Sequence, residues 1–316
     1  YALSGGSATI TLSGDWVQNG SFSAGTRTVI HKGYTHLISG APTYCHLTVD
    51  LNSAYTLTTD DISVTGTLTL TGGVLADGTV HVEGNVVQGT SAMGGTAVLR
   101  IDGTGDQTLT GCGSETSGYL PNVEINKASG TLTLAGGVIR TGRDWTETAG
   151  TVALGGTKFV FAGMNYSSLT ASTEFQDVKI AKTGNYAVNV QGEITVNGTL
   201  TYEAGRTNEG TVRARGNVVQ GTSSGASTGT LVLDGTADQT LTGCGSETSG
   251  DLPAIEINKA SGTLTLAGNI IRTSADWTLV AGTVAPGNTQ MVFTGYLSTF
   301  DMEGVTLAAL KIDKAT

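Results

Sequence analysis

Apolar and hydroxylated side chains alternate along most of this chain. In Thr131 to Gly136, TLTLAG, an extended backbone puts Leu132 and Leu134 on one face and Thr131 and Thr133 on the other. Val123 and Ile125 flank Glu124, and Ile62, Val64, Leu68 and Leu70 keep one parity. A period of two is that of strands with one buried face. No window of about 11 residues holds a 3.6-residue period without a Gly or Thr cluster. The pattern therefore predicts short Gly-bounded strands with apolar residues inside and Thr outside, and essentially no helix.

The pattern is also duplicated. GNVVQGTS begins at Gly84 and Gly216, DQTLTGCGSETSG at Asp106 and Asp238, and INKASGTLTLAG at Ile125 and Ile257, each pair 132 residues apart. The same register joins Trp145 to Trp277 and Phe159 to Met291, while a further Asp-Trp at Asp15-Trp16 lies 129 residues before Trp145. The chain divides into a partial copy, 1–50, and two full copies, 51–182 and 183–314. A period this long exceeds one supersecondary unit, so each copy is expected to contain finer rungs.

Two all-β arrangements compete. Asn-Gly or Asp-Gly at Asn19, Asp77, Asp102, Asn197 and Asp234 suits the hairpins of sandwich domains. No Pro- or Ser-rich linker separates the copies, however, and 316 residues exceeds the size at which one compact core divides. A solenoid has no such ceiling, because each coil touches only its neighbours. The expectation is one continuous right-handed parallel β-helix over 1–316, of roughly 14 coils of ~22 residues, rising ~4.8 Å each into a rod of about 70 Å.

Composition supports this and removes other classes. Forty-seven Gly, 53 Thr and 13% charged residues are unlike an ordinary enzyme domain, and Gly does not recur at every third position as in collagen. The net charge of −10, with Lys and Arg scattered singly, argues against nucleic acid and anionic membrane surfaces. No apolar run is long enough for membrane insertion. The chain opens at Tyr1 without a basic or apolar leader and is read as a mature or trimmed segment.

LPNVEINKASGTLTLAG (Leu120 to Gly136), DWTETAGTVALGGTKFVFAG (Asp144 to Gly163) and ITVNGTLTYEAG (Ile194 to Gly205) resemble the degenerate repeats of secreted bacterial and archaeal adhesin-like proteins of the parallel β-helix type. That resemblance implies a fold and an extracellular or cell-surface setting, and carries over no catalytic residue.

Candidate chemistry is sparse, and no catalytic, cofactor-binding or metal-binding residue is assigned. Gly103 to Asp106 is similar to a calcium-binding coil turn, but Asp102 and Asp106 recur as Asp234 and Asp238 within copied surroundings, beside Glu115 and Glu247, and read as solvated turn aspartates capping their own backbone. His31, His36, His46 and His81 show no ligand spacing and read as exposed or turn residues. Trp16, Trp145 and Trp277 read as packed corners. Cys45, Cys112 and Cys244 fit no CxxC; the equivalent pair, 112 and 244, is too far apart to bond in a straight rod, and buried thiols are expected. Thr-x-Thr pairs at 67/69, 131/133 and 263/265 are too few for an ice-ordering lattice. Asn19, Asn165 and Asn197 satisfy the N-glycosylation pattern.

Neither terminus reads as a solenoid cap, which fits either a piece of a longer array or head-to-tail stacking of molecules, and the second is the expectation. The functional expectation is a non-enzymatic structural or adhesive protein, a subunit of an extracellular fibre or filament whose partners are its own copies or surface glycans. A carbohydrate-binding or polysaccharide-degrading β-helix and a phage receptor-binding fibre are the alternatives.

Overall fold

The computed structural model describes residues 9–20, 22 and 25–313, and the first eight and last three residues, on which the uncapped-end reading falls, lie outside that set. The described chain is an all-β parallel solenoid of about 15 turns with no helix. Strands pair in parallel with the strand one turn on, so the Asn-Gly and Asp-Gly turns close coils rather than antiparallel hairpins. Contacts divide it into two units, 1–157 and 158–316, a boundary inside the copy 51–182 rather than at either of its edges.

In the first unit the alternation becomes two continuous interior columns. Val29, Leu47, Leu68, Val86, Leu109 and Leu134 follow one another in register, all buried. Ile62, Val80, Leu99, Val123 and Trp145 form the second. Each such side chain contributes about 1.5–3 kcal/mol relative to exposure. The outward file beside the first column reads Ile30, Thr48, Thr69, Val87, Thr110 and Ala135, a mixed surface rather than a hydroxyl lattice.

The second unit repeats the device. Val178, Leu200, Val218, Leu241 and Leu266 stack in one column. Ile194, Val212, Leu231, Ile255 and Trp277 stack in the other. Trp145 and Trp277 are wholly buried at the same ladder position, as a packed aromatic should be.

The turns are unequal in length. Thr28 pairs with His46, a step of 18, while Gln107 pairs with Leu132, a step of 25. The longer step accommodates the loop around Cys112 to Gly118, and the columns stay in register because the extra residues leave at a corner. Where turns approach most closely only glycine fits: a Cβ on Gly84 would overlap the Gly66 carbonyl, and one on Gly216 the Gly198 carbonyl.

Candidate functional site

The calcium-like turn is filled by the protein itself. Lys127, only 2% exposed, directs its ammonium at the carbonyl oxygens of Gly103 (2.5 Å) and Gly105 (2.9 Å) and at Gln107 Oε1 (2.5 Å). Gln107 Nε2 donates in turn to the Val82 and Gly84 carbonyls. The second copy rebuilds the cage with Lys259, the carbonyls of Gly235 and Ala237, and Gln239 Oε1. Burial lowers both lysine pKa values, opposed by Asp106 and Asp102 in the first copy and by Asp238 and Asp234 in the second. Turn carbonyls that in a calcium coil would face an ion here face an ammonium from the next turn.

The neighbouring aspartates cap the following turn, which corrects their reading as caps of their own backbone. Asp106 Oδ1 accepts from Thr131 N–H and Asp238 Oδ1 from Thr263 N–H, both at 2.8 Å. Of the two glutamates, Glu115 accepts from Arg140 Nε through its backbone carbonyl, and Glu247 pairs with Lys311. Gln88 Nε2 donates to the Arg140 carbonyl and Gln220 Nε2 to that of Arg272. These bonds join turns two apart in the ladder and recur in both copies.

Three further expectations need adjustment. Cys45, Cys112 and Cys244 are free but half-buried, not buried, because Cys112 and Cys244 organise the inserted loop: Cys112 Sγ faces the Ser114 and Ser117 carbonyls, and Cys244 Sγ those of Ser246 and Ser249. His31 and His36 are interior rather than exposed, 0% and 2% accessible. His31 shares the parity of Val29, and His36 that of Ile38, so alternation carries both rings inward. His46 is half-buried, its Nδ1 accepting from Thr67 N–H at 2.9 Å. Among the sequon asparagines, Asn19 is exposed, Asn165 half-buried, and Asn197 donates to Glu174 Oε2 at 2.9 Å.

The strongest unduplicated group surrounds His81. Ser63, His81 and Arg100 occupy consecutive rungs of one outward file, and His81 Nδ1 lies 2.6 Å from Asp102 Oδ2. Ser63, His81, Glu83, Asp102, Gly103 and Thr104 line a depression of about 470 Å³. A carboxylate on Nδ1 fixes the imidazole orientation and leaves Nε2 for proton transfer. In the second copy Ser63, His81 and Glu83 become Thr195, Arg213 and Arg215, and Arg213 pairs with Asp234 at 2.5 Å. The site is thus a variation on an ion-pair position. Among the described residues no three His, Cys, Asp or Glu side chains converge as a metal-ligand group.

Compared with models of known families, with curated proteins and with solved structures, the chain matches none.

Proposed function

We propose that this chain is a non-enzymatic extracellular scaffold, a structural or adhesive subunit of a surface fibre or filament of the adhesin-like kind. The observation that carries the reading is that both copies keep their turn-to-turn bonds. Three side chains that recur with the 132-residue period, Gln88/Gln220, Gln107/Gln239 and Lys127/Lys259, bond turn to turn in both copies. Where the residues differ a turn-to-turn contact is rebuilt with other chemistry: His81 with Asp102 becomes Arg213 with Asp234, and Tyr119 with Arg140 becomes Asp251 with Arg272. Duplication has preserved the means of stacking turns.

The proposed joint between molecules is further stacking of the same kind. Negative-stain microscopy and sedimentation over a concentration series test this: end-joined particles are expected, and monomers at every concentration would overturn the filament.

The His81 depression favours a second reading, a polysaccharide-degrading β-helix with Asp102 orienting His81 as the base. Release of reducing ends from a panel of acidic and neutral polysaccharides, abolished by His81→Ala, would establish it in place of the scaffold.

A further inference from the structure

One exposed feature is retained by the duplication although no turn-to-turn bond depends on it. Tyr34 and Tyr55 occupy the same corner on successive turns, since the strands on either side pair in register, Thr28–Gly33 with His46–Leu51 and His36–Ser39 with Thr56–Thr59. Their rings lie 5.1 Å apart at 76°. In the second unit Tyr166 and Tyr186 repeat the arrangement at 5.3 Å and 71°, between Lys158–Gly163 and Ser167–Thr170 on one turn and Asp177–Lys182 and Ala187–Val190 on the next. Tyr166 follows Tyr34 by 132 residues and Tyr186 follows Tyr55 by 131.

These rings stand out in solvent, Tyr34 at 64% and Tyr166 at 52% exposure. The four corner segments, 34–35, 52–55, 164–166 and 183–186, contain no charged residue. Lys32, beside the first corner, is neutralised by Asp50 at 3.3 Å. An uncharged corner on a chain of net charge −10 repels polyanions, nucleic acids included. What an aromatic face flanked by amides and hydroxyls does accept is an uncharged ring with one C–H face and peripheral hydroxyls.

We infer that the Tyr34/Tyr55 and Tyr166/Tyr186 pairs are two equivalent stacking platforms for a neutral polysaccharide, each taking the C–H face of a pyranose ring on a tyrosine. The inference rests on the adhesive part of the reading above and names its ligand class. Two weak sites on one chain make binding to a polymer multivalent.

The test is affinity electrophoresis of the full chain through native gels containing hydroxyethyl cellulose, galactomannan, amylopectin or, as the polyanion, alginate. Retardation in at least one neutral gel is expected. Tyr34→Ala with Tyr55→Ala should weaken it about tenfold, and all four alanines should abolish it. A parallel set with leucine keeps apolar bulk without the aromatic face and should lose retardation equally; it decides the matter should the alanine set fold poorly. Mobility unchanged in every neutral gel, retardation by alginate alone, or retardation that survives both sets would overturn the inference. So would a fall in sedimentation coefficient caused by the same substitutions, which would assign the rings to a contact between copies. Filaments without glycan retardation sink this inference alone; retardation without filaments sinks only the end-joining.

Discussion

His31 Nδ1 lies 3.4 Å from His36 Nδ1, the two rings meeting edge to face in the interior of the first unit. One ring donates and the other accepts, and neither Nε2 has a hydrogen-bond partner. The pairing strands bring only Leu12 and Val49 beside His31 and Leu57 beside His36, with no carboxylate to stabilise a cation.

Acid therefore acts on this pair. Burial, reinforced by His36, lowers the His31 pKa from 6.5 to about 4. The unfolded chain binds the proton first as pH falls, so the stability contribution is complete above pH 6.5 and is lost between 6.5 and 4, to a total of about 3 kcal/mol. Urea unfolding at pH 7.5 and 4.5 should show a smaller acid loss in His31→Leu than in the parent chain. Equal losses would refute the assignment.

The lysine cages predict a second result. Lys127→Met keeps the aliphatic stem but leaves the Gly103 and Gly105 carbonyls and Gln107 Oε1 without their shared donor. The first unit should lose about 2–4 kcal/mol. Lys259→Met should do the same to the second unit, and hydrogen exchange resolved by segment would show protection falling around Gly235 to Gln239 rather than around Gly103 to Gln107.

Face alternation predicts an asymmetry between adjacent residues. Leu68→Ala opens a void in a column of buried Leu and Val and should cost about 2–5 kcal/mol, whereas Thr69→Ala on the outward file should stay within about 0.5 kcal/mol. Thermal melts of the two variants measure the contrast directly.

The tryptophans offer a stabilising change. Trp145 Nε1 donates to Glu147 Oε1 at 3.4 Å, but Trp277 Nε1 is buried without a partner because Leu279 stands where the first copy has Glu147. Leu279→Glu should restore an acceptor and raise stability by about 0.5–1.5 kcal/mol, read as an upward shift in unfolding midpoint.

How much of this the sequence discloses depends on the distance between partners. The columns are legible because parity at Leu132/Leu134 or Ile62/Val64 is a local property that parallel stacking preserves. The same parity, Val29 with His31 and His36 with Ile38, carries the inward position of the histidines, which ligand spacing does not report. The cage was illegible for another reason. Its acceptors are mostly backbone carbonyls, and Lys127 reaches Gly103 across 24 residues that only the coil length brings together. The tyrosine pairs escape a search for identical runs because one of them slips by a residue between copies. The depression at His81 combines residues from three turns, none of which shows a motif alone.

The ammonium in each cage has a consequence for where the protein can work. A bound ion leaves when its concentration drops and can be stripped by a competing chelator. A charge carried on the chain's own side chain has no such equilibrium, so the corners at Gly103 and Gly235 keep their shape in fresh water and brine alike, and no external supply limits how many turns are set at once.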